Sequence, residues 1–381
     1  MQENALIEDN DQEITENEIY IEENNPVPPE HPFDPKQVKF STMSLSLENL
    51  IRRMKDVPPS INLRPEFQRD EIWTPTMKSL LIESILLRFP LPAFYFDGSK
   101  ENDWEVIDGQ QRLITLRDFV VEKKLRLMGL EYLKPLEGLS YDELPRDFQR
   151  RIEEAQFTVF LMEAGTPPKV KFNIFRRINT GSAPLSSQEI RHALNQGKPA
   201  TTVQEMANMS SFKSITPSVK PKRMLDRDFV SHFVAFYLKG YKSYKPDMDT
   251  FLNEGMEEID KISENQRQEM IANFDNAMKT IASLMGEDAF RKKVKGGKRA
   301  RGIINKALFE IWSVCLAKRT VAECKVLIKN KNKVEQAFSE LFTKSDEFTV
   351  VISLATGDRT RTLKRFEIME NLIQNNLHEN H

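Results

Sequence analysis

Cysteine and histidine are both scarce in this 381-residue chain, with two of the former and five of the latter. Cys315 and Cys324 form neither a CxxC pair nor a disulfide framework, so structural zinc and oxidative cross-links are not expected. His31, His192 and His232 have no second ligand at a fixed spacing, which argues against a histidine metal centre, and His232 reads as a core histidine. No local Ser-His-Asp signature is present. Long hydrophobic runs are missing as well: the most apolar stretches, 80–87 and 229–238, fall far short of the roughly 20 residues that cross a bilayer. No basic segment followed by an apolar core opens the sequence, so a secretory signal is not expected and a cytoplasmic address follows. With 39% hydrophobic residues, the chain can still build sizeable cores in two or three domains.

Basic residues are absent from the N-terminal stretch. Residues 1–35 hold 11 of the 57 acidic residues and none of the 55 basic ones, so the rest of the chain carries 55 basic against 46 acidic. A basic body with an acidic arm fits a polyanion-binding surface that the arm can shield, and it equally fits a merely solvated extension. The organisation expected is an acidic disordered tail over 1–38, an α+β domain over 39–198 and an all-α helical domain over 199–381.

Within the α+β domain, Ser46 can cap a helix carrying Leu47, Leu50, Ile51 and Met54, and Pro58-Pro59 ends it before an extended 61–63. Thr74 with Pro75 starts a helix to about Phe89. A hairpin is expected from strands 93–97 and 104–107 around the turn-rich 98–103. At Gly109 the period becomes helical, with Leu113, Leu116, Phe119 and Val120 on one stripe up to Lys123-Lys124. A further helix over 141–154, a strand over 157–162 and a helix carrying Val170, Ile174 and Ile178 follow. Ser186 and Glu189 form a capping box for the helix after them. Beyond residue 198 helices are expected over 223–239, 247–262, 265–285, 302–319, 334–343 and 363–377, and no internal repeat is visible.

The sharpest local signal is Asp108-Gly109-Gln110-Gln111-Arg112, where a strand becomes a helix. Gly109 lets backbone approach a ligand, and the free amides and positive dipole end of the helix favour a phosphate. Arg112 can add a fork of donors, Gln110 and Gln111 bring amides, and Asp108 can hold a divalent cation or orient a water. The same residues admit a purely structural reading, with Asp108 as helix N-cap and Arg112 on the surface. Arg64, Gln68 and Arg69, anchored by Phe67 and Trp73, could supply a second wall of donors or form surface ion pairs of little consequence. Arg176, Arg177 and Asn179 sit at a helix end and turn where polar side chains often only cap. Arg291, Lys292, Lys293, Lys295, Lys298, Arg299 and Arg301 put seven positive charges in eleven residues, suited to a nucleic-acid backbone or simply to solvent; Lys220, Lys222, Arg223 and Arg227 form a smaller patch able to extend the same surface.

Three strings in this order carry a resemblance: Phe67-Gln68-Arg69 with Trp73; the full Asp108-Gly109-Gln110-Gln111-Arg112-Leu113; and Phe175-x-x-Ile178-Asn179-x-Gly181-x-x-x-Leu185-Ser186-x-x-Glu189-Ile190. Residues 45–198 resemble the DGQQR domain (domain of unknown function 262) at the N-terminus of GmrSD-type modification-dependent restriction endonucleases, in the ParB and sulfiredoxin-like superfamily. The resemblance implies a ParB/sulfiredoxin-like α+β fold followed by helices. It also implies a site where Asp108, Gln110, Gln111 and Arg112 engage a nucleoside triphosphate or a DNA phosphodiester, in some relatives hydrolysing the triphosphate with Mg2+ or another divalent cation. Asp108 would hold the metal, Gln68 and Arg69 would line the pocket, and Arg176 with Asn179 would close it.

The function expected is an NTP-hydrolysing protein of an anti-phage or restriction-type DNA defence system. A non-catalytic DNA clamp switched by nucleotide and a metal-dependent endonuclease acting at the same site are the alternatives. After His232 the only histidines are His378 and His381, so an HNH-type nuclease half is expected to be absent here or to lie on a separate chain. The partners this reading admits are DNA, a nucleoside triphosphate, a separate nuclease or defence subunit, and a second copy of the chain, with no membrane partner. If the acidic arm competes for a basic face, deleting residues 1–35 raises DNA affinity at low salt, and titration of labelled duplex at two ionic strengths checks it.

Overall fold

The computed structural model describes residues 39–57, 59–63, 73–100, 103–178, 185–292, 304–343 and 346–377. They form two compact units, one reaching to Leu194 and the other starting at Asn195. The chain is of mixed α+β class. Among the described residues, no helix is long and apolar enough to cross a membrane.

The first unit is built on a five-stranded mixed sheet in the order β1-β5-β3-β4-β2, from β1 (Phe40–Ser46), β2 (Ile61–Asn62), β3 (Phe94–Lys100), β4 (Asp103–Asp108) and β5 (Gln156–Met162). β1 runs antiparallel to β5, β3 parallel to β5 and antiparallel to β4, and β2 parallel to β4. Alternation along the strands sorts side chains to two faces. Phe94, Phe96, Trp104, Phe157 and Val159 join Leu47, Leu50, Ile82, Leu113 and Phe119 in one core, while Ile107 and Met162 join Val170, Phe172, Phe175 and Ile190 in another.

The capping signals are realised. Ser46 accepts from the amide of Asn49 at the start of α1 (Leu47–Lys55), and Thr74 accepts from Met77 at the start of α2 (Pro75–Leu86). The Ser186 and Glu189 capping box closes in both directions before its helix. Several boundaries differ from the sequence expectation. β3 and β4 extend through Lys100 and from Asp103, so most of the expected turn is ladder. α3 (Gln110–Leu116) passes into a π-helical turn, Arg117–Val121, instead of continuing as α-helix. Pro145 divides the expected 141–154 helix into a 3-10 turn and α4 (Arg146–Glu153). α5 (Pro168–Ile178) and α6 (Ser187–Leu194) complete the unit.

The second unit is all-helical: α7 (Lys198–Ala207), α8 (Ser210–Ile215), α9 (Leu225–Lys239), α10 (Met248–Lys261), α11 (Glu264–Met285), α12 (Lys306–Ala317), α13 (Val321–Lys329), α14 (Lys331–Thr343), α15 (Asp346–Val351) and α16 (Arg359–Leu377). Its interior holds a charged network as well as apolar side chains. His232 Nδ1 donates to Glu310 Oε1 at 2.6 Å, and Arg365 donates to Glu310 Oε2 at 2.6 Å and to the carbonyl of Thr356 at 2.6 Å. All three side chains are buried, so His232 is a satisfied core histidine.

The π-helical turn creates a second buried charge cluster. Asp118, 1% exposed, accepts from Lys78 at 2.9 Å, from Arg117 at 3.1 Å and from Lys124 at 3.3 Å. Burial pushes its carboxyl pKa up, but the bonds from Lys78 and Arg117 outweigh that and hold it below the ordinary carboxylate range. The stability it contributes is therefore complete above the unfolded carboxyl's pKa of about 3.9 and is lost as pH falls through the lower folded value. Asp118→Ala leaves Lys78 buried beside an emptied position, and a loss of about 3–5 kcal/mol in urea unfolding at pH 7, shrinking toward pH 3, is the expected result.

Candidate functional site

The junction between β4 and α3 is a strand handing over to a helix at position 109, as the motif requires. Gly109 is the N-cap residue, with φ 100° and ψ 7°, and no side chain caps this helix. Asp108 is therefore the last strand residue and not the cap. A Cβ on Gly109 would stand 2.3 Å from Phe94 Cδ1, so the close approach as well as the left-handed backbone selects glycine.

Arg112 lies inside the unit, not on its surface. It is 8% exposed, and its guanidinium stacks 4.6 Å over the ring of Phe94. Its Nη2 donates to Asp108 Oδ2 at 2.8 Å and to the Ala93 carbonyl at 3.1 Å, while Nη1 donates to the Pro92 carbonyl. Burial lowers its pKa, and Asp108 counters by favouring the charged form. The expected fork toward a ligand is thus turned inward, where it joins the start of β3 to the end of β4. Asp108 keeps a third of its side chain exposed.

The two glutamines differ. Gln110 donates to the carbonyl of Leu63 at 3.3 Å. Because β2 runs parallel to β4, Leu63 leaves the sheet at the same end as Gly109. Gln111 has a buried Oε1 without a hydrogen-bond partner, while Thr115 Oγ1 donates to its backbone carbonyl at 2.8 Å. A buried acceptor left open carries a desolvation cost of about 1–3 kcal/mol, which an incoming donor would relieve.

The other expected site residues are less closely joined. Arg176 is exposed on the last turn of α5 and donates to Asn173 Oδ1 at 3.4 Å. Arg64, Gln68, Arg69 and Asn179 lie outside the described residues. So do Lys293, Lys295, Lys298, Arg299 and Arg301 of the basic run, whose Arg291 and Lys292 belong to the helical unit. No group of three or more His, Cys, Asp or Glu able to hold a metal occurs among the described residues. Asp108 offers a lone carboxylate with one oxygen already held by Arg112, which does not fit a metal resident on the protein. Sequence reasoning missed Phe94, Pro92 and Ala93 as partners of Arg112, since nothing in their spacing marks an arginine that points inward.

Residues 47–195 match the family model of the GmrSD restriction endonuclease N-terminal domain. No curated protein and no solved structure matches the chain.

Gly109→Ala forces a side chain into a left-handed backbone, at about 1–2 kcal/mol, and against Phe94, at about 1–3 kcal/mol for overpacking. A fall of that combined size in the urea unfolding free energy is expected. Gly138→Ala, also at positive φ but with open space at its Cβ, should show only the backbone part.

Proposed function

We propose that this chain, whose residues 47–195 are a GmrSD-type N-terminal domain, is the nucleoside-triphosphate-hydrolysing component of a restriction-type DNA defence system. The α+β unit is read as ParB/sulfiredoxin-like on the order of its motifs. The observation that carries the reading is the Gly109 junction, where a carboxylate with a third of its side chain exposed, fixed by a buried guanidinium, adjoins an uncapped helix start and the open acceptor of Gln111.

In this reading the phosphates rest against the first amides of α3 and Gln110, with Arg64, Gln68, Arg69, Arg176 and Asn179 supplying donors from the flanking segments. Mg2+ arrives on the phosphates as part of the substrate, consistent with its habit of taking one or two carboxylates plus phosphate oxygens. Asp108 accepts a proton from the attacking water. The water oxygen bonds to the γ-phosphorus, the bond to the β–γ bridging oxygen breaks with its electron pair on the diphosphate, and inorganic phosphate leaves. Arg112 is a positioning residue: it acts on the substrate only through the carboxylate it holds. In this reading cutting of DNA falls to a nuclease on a separate chain.

Phosphate release across the four nucleoside triphosphates, with and without Mg2+ and DNA, tests the assignment. Wild type should release phosphate, and Asp108→Asn, which can keep a hydrogen bond to Arg112 but loses both the base and the counter-charge, should be slower by about 10²–10⁴-fold when assayed below its own, lowered unfolding midpoint. Tight nucleotide binding without release would make the pocket a switch, and metal-dependent nicking of plasmid would make it a nuclease; either result overturns hydrolysis as the function.

A further inference from the structure

One buried ring in the helical unit gathers three chain segments that are distant in sequence. Phe309, on α12, packs 5.9 Å from Phe212, 5.2 Å from Phe229 and 5.1 Å from Phe290, ring centre to ring centre. Each partner has a basic neighbour: Lys213 follows Phe212, Arg227 precedes Phe229 by two, and Arg291 follows Phe290. The backbone amide of Asn305 donates to the Phe290 carbonyl at 2.8 Å, which brings the start of α12 to the same corner. Basic residues from Lys213 to Arg291 in sequence are thereby set next to rings that share a single buried core point.

Two of the four acidic residues at this corner are withdrawn from solvent, while Glu287 is exposed and Asp288 half-buried. Asp226 and Asp228 are buried, and Asp228 Oδ2 accepts from Lys306 at 2.6 Å. Burial pushes the Asp226 carboxyl pKa up, opposed by Arg227 and Lys213, which places both cations close to it. Over 210–228, 287–292 and 304–309 stand eight basic residues against four acidic. Lys213, Lys220 and Lys222 are exposed, and Arg223, Arg227, Arg291 and Lys292 are half-buried.

The backbone here is strained as well. Arg223 (φ 56°) and Met224 (φ 58°) are consecutive non-glycine residues in the left-handed region, held by the amide of Met224 donating to the Pro221 carbonyl at 2.9 Å. Such conformations persist only where the surroundings enforce them, and they cluster at ligand clamps. Here the turn precedes α9 and carries the exposed Lys222 and half-buried Arg223 instead of continuing the helix backwards.

We infer that this corner of the helical unit, formed by α8, the Lys220–Arg227 turn and the Arg291–Lys292 segment around Phe309, is a docking surface for the phosphate backbone of double-stranded DNA. The choice of duplex DNA rests on the restriction-type reading of the other unit; the surface itself rests only on charge and geometry. Contacts of this kind neutralise phosphates without reading bases, so binding is independent of sequence and falls steeply with salt. An acidic peptide is the competing occupant.

Fluorescence anisotropy of a labelled 30-base-pair duplex with the full chain and no nucleotide tests the inference, so a failure of the nucleotide pocket leaves the result unaffected. The variant Lys213→Gln, Lys220→Gln, Lys222→Gln alters only exposed side chains and should weaken binding at least tenfold. The slope of log affinity against log salt should drop by about 0.9 for each lysine lost from a phosphate. A control, Lys325→Gln with Lys329→Gln on α13, should leave both unchanged. Equal effects of the two variants, or no effect of the first, would overturn the location. Tighter binding of poly-glutamate or of single-stranded RNA than of the duplex would overturn the partner.

Discussion

A guanidinium taken out of water must be met on every side, and Arg112 shows what that demands of the chain around it. Its partners are the carboxylate of Asp108 one helical turn back, the carbonyls of Pro92 and Ala93, and the face of Phe94. Removing one partner of a buried ion pair leaves an uncompensated charge, a loss of about 3–5 kcal/mol. Pro92 and Ala93 lead into β3, Asp108 ends β4, and Arg112 lies in the first turn of α3. One side chain therefore fixes the start of one strand, the end of the next and the direction of the helix, and the left-handed turn at Gly109 is what allows the chain to satisfy all three at once.

That arrangement was half visible in the sequence. The handover at Gly109 was legible because the apolar period changes from two to 3.6 there, and the caps at Ser46, Thr74 and Ser186 were legible because capping needs only a short oxygen-bearing side chain a few residues from an orphan amide. The inward turn of Arg112 was not, because arginine usually stays at the surface and only three-dimensional partners reverse that. β1 escaped notice since Ser41, Thr42, Ser44 and Ser46 dilute its alternation, and it was defined by pairing with β5. The π-helical turn has no periodic signature, and its anchor, Asp118 with Lys78, joins residues 40 apart. α7, α8, α13 and α15 were also missed. α8 and α15 have six residues each, too few for a helical period to stand out, and α7 carries Pro199 in its first turn, which reads as a stop before it reads as a start.

The helical unit handles charge differently. Its interior network links α9, α12 and α16 through Glu310, which receives both His232 and Arg365. Every charged group there is matched within the fold, and Lys306 and Asp228 cancel at the beginning of α12 and α9. Around Phe309 basic residues outnumber acidic ones, and the buried Asp226 and Asp228 do not face the exposed Lys213, Lys220 and Lys222 from solvent.

The same accounting of charge bears on how the junction can attract an anion. Asp108 and Arg112 neutralise each other, so the most conspicuous charges of the motif contribute no net field. On the proposed reading the pull on a phosphate would then come from the uncapped amides of α3, whose dipole end is short-ranged, and from cations outside the pair, with Arg176 at the end of α5 a candidate. In that same reading the amides of Gln110 and Gln111 suit the junction because they can bind a phosphate oxygen or a water without adding a charge that the buried pair would have to oppose. The neutral pair sets geometry, and the attraction is supplied from outside it.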